Sequence, residues 1–322
     1  MHVYVVGRGA VGMYLGELLR GIGNAVTYAP RALDAVERVD ADMVLVTVKA
    51  YDTAGAVETL RRALADDGGA TIVTPQNGVG NEEILASAFG AGRVVAAALT
   101  VPVEIGPGGI GVAARGGGIA FAPVGTSSAN NWLLAAFGAT GLEVRAVEDY
   151  RSLKWSKLAL NVVANAACAI LDELPAELVR RRTAFDLDLR QVREVAAVMK
   201  AQRIAAIDLP RYPVRALFAV ASAPLPAARA ILGSRIARAR GAKPPSLLLD
   251  LRAGRGRTEA DALNGAVARA AREASVAAPV NATYARVLDE IARAPERWDA
   301  YRGRPDALAA AVASASKGPP SS

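Results

Sequence analysis

Short apolar runs separated by glycine turns and longer mixed segments make up the first half of the chain. The runs lie at 2–6, 25–29, 43–48, 71–74 and 94–99, and each is mostly apolar. Runs of this length without polar alternation are typical of strands buried on both faces, as in a parallel sheet covered by helices. The pattern therefore predicts an α/β domain at the N-terminal end.

The pattern of hydrophobic positions changes twice after this. The glycine-rich stretch 101–124 holds short apolar runs at 110–113 and 119–122, and another follows at 142–147; we expect these to be strands added to the same sheet, the first two antiparallel. From residue 150, helical periodicity in Ala-, Arg- and Leu-rich segments dominates. We therefore predict an α/β domain at 1–149, an all-helical domain at 150–313 and a flexible tail at 314–322.

Composition excludes several classes of protein. Hydrophobic residues make up 52% and charged residues 21% of the 322, as in an ordinary globular chain. The single cysteine, Cys168, excludes an intrachain disulfide and a cysteine-based zinc cluster, and we expect it to be buried. We find no secretory signal and no apolar run of the ~18 residues that a membrane span needs. The prediction is a cytoplasmic protein with no metal site and no membrane partner.

The titratable residues narrow the chemistry. The only histidine, His2, starts the first predicted strand, so proton transfer falls to Lys, Tyr, Cys or a carboxylate. The net charge of +7 is carried by arginine-rich stretches such as 180–182 and 252–257. Because these lack interleaved aromatic residues and any nucleic-acid-binding signature, we interpret them as solvated surface and expect no nucleic-acid partner.

A glycine motif follows the first apolar run. The sequence Gly7-Arg8-Gly9-Ala10-Val11-Gly12 is G-x-G-x-x-G between a predicted strand and an amphipathic helix, the context that dinucleotide binding requires. Gly7 would allow the turn, Gly9 would let a pyrophosphate approach, and Gly12 would permit close helix–strand packing. We therefore predict a Rossmann-like domain whose cofactor-binding residues are Gly7, Arg8, Gly9, Ala10, Val11 and Gly12.

The end of the second predicted strand favours NADP(H). NAD sites usually place Asp or Glu there, whereas this chain has Pro30-Arg31 and no acid until Asp34. A guanidinium suits a 2′-phosphate, so we predict that Arg31 contacts it. The alternative is that Arg31 is a solvated loop residue.

Lys157, Asn161 and Asn165 are spaced i, i+4, i+8 in an otherwise apolar stretch, which predicts one face of one helix. An ammonium beside two amides suits a carboxylate and a carbonyl or hydroxyl oxygen, and a lysine so placed can donate a proton. The alternative is a lysine that extends to solvent beside two structural asparagines. Lys49 and Asn77 each follow a predicted strand, at the edge where open α/β sheets bind ligands.

Several segments together give a family resemblance. GRGAVG, VTVKAYDT, PQNGVG, WSKLALNVVANA and PPSLLLDLRAGRGRTEADALNG occur in this order from residue 1 to about 290. They resemble the motifs of the ketopantoate reductase (2-dehydropantoate 2-reductase) family. The resemblance implies NADPH-dependent reduction of 2-dehydropantoate to (R)-pantoate, toward pantothenate and coenzyme A. It also implies a helical domain like the C-terminal domain of 6-phosphogluconate dehydrogenase.

The same resemblance implies roles for individual residues. Lys157 would be the general acid, and Glu259 would orient or polarise that lysine and the substrate hydroxyl. The alternative for Glu259 is an acid that only satisfies a helix N-terminus, in a capping-box-like start to a helix over 262–271. Asp250 is interpreted as structural. Substrate groups would be held by Asn77, Asn161, Asn165 and Ser246, and the cofactor also by Arg31, Lys49 and Asn77.

The sequence leaves several alternatives open. The segment between the second strand and Met43 is shorter than the family usually has, which bears on the NADP preference. A related reductase of another 2-keto or 3-hydroxy acid is the second hypothesis, and an NADP-binding regulatory protein is the third. A homodimer through the helical domain is compatible with the sequence, although no heptad pattern supports it.

Overall fold

The computed structural model describes residues 1–64, 69–106, 109–112, 116–126, 130–239 and 243–316. The chain divides into two compact units. Unit 1 comprises Met1–Lys157 and Ile207–Pro213, and unit 2 comprises Leu158–Ala206 and Val214–Ser322.

Unit 1 is built on a seven-stranded sheet with the order β2-β1-β3-β4-β5-β8-β9. The first five strands in this order are parallel, β8 is antiparallel to β5, and β9 is parallel to β8. This confirms the Rossmann-like prediction. The strands of the main sheet are β1 His2–Val6, β2 Ala25–Tyr28, β3 Met43–Val46, β4 Thr71–Thr74, β5 Val94–Leu99, β8 Gly118–Pro123 and β9 Glu143–Ala146.

Both faces of the sheet are buried, as the uninterrupted apolar runs indicated. In β1, Val3 and Val5 belong to one hydrophobic cluster, whereas Tyr4 and Val6 belong to another. Alternate side chains of a strand point to opposite faces, so these two clusters cover the two sides of the sheet. The helices of this unit are α1 Ala10–Gly21, α2 Thr53–Ala63, α3 Asn81–Phe89, α4 Asn130–Gly138 and the first turns of α5 Tyr150–Val162.

One predicted strand does not join the main sheet. The run at 110–113 was expected there, but β7 Gly109–Val112 pairs with β6 Val103–Gly106 in a separate two-stranded hairpin. Antiparallel pairing of these two strands satisfies their ladder bonds locally, so they need no place in the larger sheet. Ala113 lies outside the described residues.

Unit 2 is helical in the part of it that the structure describes, as predicted. A π-helical segment, Asp261–Gly265, precedes α12 directly, so the expected helix over 262–271 begins with wider turns. The α-helices after α5 are α6 Ala166–Leu171, α7 Pro175–Leu178, α8 Arg182–Ala201, α9 Val214–Ser222, α10 Leu225–Ala239, α11 Ser246–Arg252, α12 Ala266–Glu273, α13 Pro279–Arg293 and α14 Pro305–Ala315.

The division between the units differs from the predicted boundary at 149/150. It falls after Lys157, inside α5, because the first turns of this helix pack with the sheet domain. The segment Ile207–Pro213 also returns to unit 1, where Ser156 Oγ accepts from the Ile207 amide at 3.0 Å and Thr100 Oγ1 donates to the Pro210 carbonyl at 3.0 Å.

The C-terminal prediction is also revised. Helix α14 continues through Ala315, so the first residues of the predicted tail 314–322 are helical, and 317–322 lie outside the described residues. Among the helices described, none combines the length and apolar character that crossing a membrane demands.

Candidate active site

The glycine loop between β1 and α1 has the geometry that its sequence predicts. Gly7 has φ +116°, and a Cβ there would lie 2.7 Å from the backbone of Thr47 and Val48. A Cβ on Gly12 would lie 2.2 Å from the Gly7 carbonyl oxygen. A Cβ on Gly9, in contrast, would meet nothing within 4 Å. Two glycines are therefore required for packing, and the third leaves open space beside the start of a helix.

That open space fits a dinucleotide pyrophosphate. Gly9 is the N-cap of α1, and no side chain caps this helix end. The first amides and the helix dipole therefore favour an anion there. Thr47, just after β3, donates from Oγ1 to the Gly7 carbonyl at 2.9 Å and so fixes the loop. Sequence analysis did not identify Thr47. The feature that could have indicated its role is a hydroxyl residue immediately after a buried strand.

Two arginines lie near the carboxyl end of β2. Arg8 donates from Nη2 to the Tyr28 carbonyl at 3.4 Å, and its guanidinium carbon lies 5.6 Å from the centre of the Tyr28 ring. Arg31 is exposed, just before a 3₁₀ turn at Leu33–Ala35. The connection from β2 to β3 has no α-helix among its described residues. Both arginines belong to unit 1, and both follow strands at the edge where the glycine loop lies.

A buried polar network joins the carboxyl ends of β3 and β4. Gln76 donates from Nε2 to the Val48 carbonyl at 3.0 Å and to Thr53 Oγ1 at 2.9 Å. Asn81 donates from Nδ2 to the carbonyl of Asn77 at 3.1 Å. These bonds fix the two loops that carry the predicted residues Lys49 and Asn77, both half-buried. Strand β3 ends at Val46, earlier than predicted. Lys49 therefore lies beyond the strand, immediately before a 3₁₀ turn at Ala50–Asp52.

Helix α5 carries Lys157 and Asn161. Its N-terminus is capped by Asp149, whose carboxylate accepts from the amides of Arg151 at 3.1 Å and Ser152 at 3.0 Å. Lys157 and Asn161 are half-buried and one turn apart on the same face, as predicted.

The expected extension of this face to Asn165 is wrong. Helix α5 ends at Val162, and Ala164 adopts φ 47°, so Asn165 lies in a turn before α6. Asn165 is 5% exposed; its Nδ2 donates to the Asn161 carbonyl at 3.0 Å, and its Oδ1 accepts from the Leu247 amide at 3.3 Å. Its side chain thus connects the end of α5 to the first turn of α11, which carries Ser246. The i+8 spacing gave no sign of the break, because no glycine or proline marks it.

A second buried network, in unit 2, holds that turn. Asp188 in α8 accepts from the Ala164 amide at 3.0 and 3.2 Å, and Gln191 donates to the Val162 carbonyl at 3.0 Å. Asn264, in the π-helical segment, donates to Gln191 Oε1 at 2.9 Å. The left-handed residue Ala164 is therefore stabilised from α8, and α8 is in turn bonded to the segment that follows Glu259.

The remaining predicted residues of unit 2 lie on neighbouring elements of the chain. Ser246 is exposed and is the first residue of α11. Glu259 is 6% exposed, and its carbonyl accepts from the Leu263 amide at 3.1 Å, in the turn that leads into the π-helical segment. Asp250 is buried and forms an ion pair with Arg255 at 2.9 Å. The interpretation of Asp250 as structural agrees with this pair.

His2 and Cys168 have the environments that the sequence predicted. The His2 ring contacts the Asp40 carbonyl at 2.5 Å and Thr27 Oγ1 at 2.7 Å, at the amino ends of the strands. Ligands of open α/β sheets bind at the opposite, carboxyl ends. His2 therefore lies at the end of the sheet opposite the glycine loop. Cys168 is buried.

Comparison with known proteins adds to this geometry. The family model described as ketopantoate reductase PanE/ApbA matches residues 20–125, and the model of the ketopantoate reductase PanE/ApbA C terminal matches residues 149–292. The 2-dehydropantoate 2-reductase of Caulobacter vibrioides is 30% identical over 271 residues, which cover 84% of each chain.

Solved structures share the architecture. The PanE/ApbA family ketopantoate reductase from Ralstonia eutropha JMP134 superposes with a TM-score of 0.74 at 27% identity, over 92% of this chain and 99% of that one. D-mandelate dehydrogenase, solved with NADH, gives a TM-score of 0.73 at 20% identity, over 91% of this chain and 99% of that one. At 20% identity the second likeness shows the fold alone.

Proposed function

The chain belongs to the ketopantoate reductase family, a family of nicotinamide-dinucleotide-dependent oxidoreductases, and we propose that it reduces 2-dehydropantoate to (R)-pantoate with NADPH. The observation that carries the proposal is the placement of Lys157 on α5, whose first turns are packed at the carboxyl edge of a sheet with an open glycine loop. The proposal places the reaction in the cytoplasm, on the route to pantothenate.

The chemistry follows from charge. A nicotinamide dinucleotide held by the glycine loop would supply hydride chemistry, which would leave negative charge on the carbonyl oxygen of a keto substrate. The Lys157 ammonium stabilises that charge and donates a proton to the oxygen, which yields the alcohol. The family resemblance implies that Glu259 would orient or polarise the lysine and the substrate hydroxyl. Neither step requires a histidine.

We assign substrate binding to three polar side chains. Asn77, Asn161 and Ser246 would donate to the carboxylate and hydroxyl oxygens. Asn165 has both of its amide atoms bonded to backbone groups. We therefore propose that Asn165 orients the first turn of α11, which carries Ser246. This role replaces the direct substrate contact that was expected from the sequence.

The cofactor assignment rests on unit 1. Gly7, Arg8, Gly9, Ala10, Val11 and Gly12 would surround the pyrophosphate, and Lys49 would lie beside the nicotinamide ribose. Arg31 is the candidate for the 2′-phosphate, because the end of β2 carries no acid to bind an unmodified ribose.

The test is cofactor oxidation with 2-dehydropantoate and a panel of other 2-keto acids, measured with NADPH and with NADH. We expect turnover with 2-dehydropantoate and NADPH, and a loss of kcat of about 100-fold or more in Lys157→Ala, since about 100-fold is the lower end of the range for one general acid. Lys200→Ala is the matched control, because Lys200 is an exposed lysine in the last turn of α8.

Each outcome discriminates among the hypotheses. Turnover of a different keto acid that still depends on Lys157 would replace the substrate and keep the site. Full activity in Lys157→Ala would exclude the proposed acid. Binding of NADPH without turnover of any acid in the panel would favour the regulatory hypothesis.

A further inference from the structure

Lys154, one turn before Lys157 on α5, is a lysine buried in the sheet domain. It is 2% exposed, and its ammonium lies 2.9 Å from the Oε1 of Glu82, which is 1% exposed. It also donates to the carbonyl oxygens of Gln76 and of Ala97, the latter at 3.5 Å. The contact with Glu82 is an ion pair by distance, while the aligned hydrogen bonds go to the two carbonyls. The proposed chemistry leaves this group unused.

A second contact fastens the same side of the helix. Tyr150 Oη donates to Glu83 Oε1 at 3.2 Å, and burial beside that carboxylate raises the pKa of Tyr150 to about 12. Two consecutive acids in the first turn of α3 therefore hold two residues of α5. Burial also raises the pKa of Glu82 above its ordinary value, and Lys154 opposes that shift.

Helix geometry connects these contacts with the proposed acid. At about 100° per residue, positions 150, 154, 157 and 161 fall within a band of about 60° around the helix. Lys157 is about 4.5 Å further along the axis than Lys154. The Gln76 carbonyl oxygen, which accepts a hydrogen bond from Lys154 Nζ, belongs to the residue immediately before Asn77. The side of α5 that is fastened to α3 and to the end of β4 is thus the side that carries Lys157 and Asn161.

We propose that Lys154 and Glu82 are positioning residues for Lys157. This inference rests on the proposed function. The pair fixes the rotation of α5 about its axis and the axial position of α5 at the end of β4. Lys157 is thereby presented toward the strand end where Asn77 lies. Replacing a buried ion pair by an apolar pair of similar volume is often neutral or stabilising, so stability alone does not account for this pair. The ion pair adds directionality that an apolar pair lacks.

The experiment is a double-mutant cycle between Lys154→Met and Lys157→Ala. We expect Lys154→Met to lower kcat by about tenfold or more, as a small misplacement of a reacting group does. In the Lys157→Ala background the same change should lower the residual rate by less than about twofold, because no acid remains to be positioned. Dinucleotide affinity should stay within about twofold in all four proteins.

A core variant and a rescue variant separate positioning from stability. Phe137→Leu is the core variant, because Phe137 is buried in α4 and packs against Phe121, on elements other than α3 and α5. At an equal loss of Tm it should leave kcat unchanged. The double variant Lys154→Met/Glu82→Gln removes both charges together, and it replaces Lys154→Met if that variant does not fold.

Hydrogen exchange supplies a readout independent of turnover. Amides of residues 157–162 should exchange about tenfold faster in Lys154→Met than in Phe137→Leu, because local opening of this turn becomes easier. The proposal is overturned if exchange in this segment is unchanged, or if Lys154→Met lowers kcat equally with and without Lys157. A Lys157→Ala variant with full activity would contradict the proposed function only. Hydrogen exchange would then decide whether Lys154 and Glu82 fix the position of α5.

Discussion

The two units fix their polar side chains in different ways. In unit 1, the polar residues come from loops that directly follow neighbouring strands: Gln76 and Asn81 lie after β4, and Gln76 donates to the Val48 carbonyl after β3. In unit 2, four buried polar residues come from three separate segments, and bonded pairs among them lie up to 90 residues apart in the chain: Asp188, Gln191, Asn264 and Asn281. Parallel strands align their ends automatically, whereas helices must be brought together by packing.

This difference determines how each network fails. A loop at a strand end depends mainly on backbone sterics, so a single methyl group can disrupt it. The helical network depends on buried hydrogen bonds, so the loss of one acceptor leaves several donors unsatisfied. The following changes test this comparison.

We expect the largest effect from Gly12→Ala. Its Cβ would lie 2.2 Å from the Gly7 carbonyl and 2.3 Å from Thr47 Oγ1, so the backbone must move. Overpacking of this kind costs about 1–3 kcal/mol or more in unfolding free energy. Gly9→Ala meets nothing within 4 Å and should stay within about 1 kcal/mol of the parent, while dinucleotide affinity falls. Urea unfolding measures the free energy of unfolding of the two variants, and cofactor titration measures their dinucleotide affinity. Equal destabilisation by Gly12→Ala and Gly9→Ala would refute the steric account.

Asp188→Ala tests the hydrogen-bonded network of unit 2. Asp188 is 1% exposed and accepts from the Ala164 amide and from Gln191. Its removal should lower the unfolding free energy by about 1–3 kcal/mol, the cost of leaving buried donors unsatisfied. Asp186→Ala, in the same helix, removes a more exposed partner of Arg229 and should cost less than about 1 kcal/mol. Equal losses of unfolding free energy in Asp188→Ala and Asp186→Ala would show that the bonds of Asp188 to the turn at Ala164 add no particular stability.

The smallest expected effect is a dependence of stability on pH from Glu194. This carboxylate accepts from the Val280 and Asn281 amides at 2.9 Å, and burial raises its pKa above 4.5. The unfolded chain then loses its proton at lower pH than the folded protein. Between pH 4.5 and the raised pKa, Glu194 therefore makes the unfolding free energy fall as pH increases.

Glu194→Gln should remove that part of the pH dependence. Unfolding free energies measured across this range should fall less steeply with pH in the variant than in the parent. Glu296→Gln, on an exposed carboxylate, is the control and should leave the slope unchanged. If the unfolding free energy falls equally steeply with pH in Glu194→Gln and in the parent, burial does not raise the pKa of Glu194 in the folded protein.

Much of unit 1 could be predicted from local pattern. Apolar runs identified the strands of the main sheet, and G-x-G-x-x-G identified the loop where Gly7 and Gly12 are sterically required. The same approach placed the run at 110–113 in the wrong sheet, because a strand's apolar residues do not specify its partner. It also missed Thr47, Gln76 and the buried ion pair of Lys154 and Glu82, since a polar residue in a sequence does not reveal whether it is buried.

The sequence by itself determined the class of fold, the glycine loop, the residue types available for proton transfer and the resemblance to a reductase family. These depend on short-range spacing and on chemistry that each residue carries with it. Only the tertiary structure decided that α5 ends before Asn165, that Ala164 is left-handed and held by Asp188, and that Lys154 is fastened to Gln76 and Glu82. Each of these depends on partners distant in the chain, which become neighbours only when the hydrophobic core brings their helices and strands together.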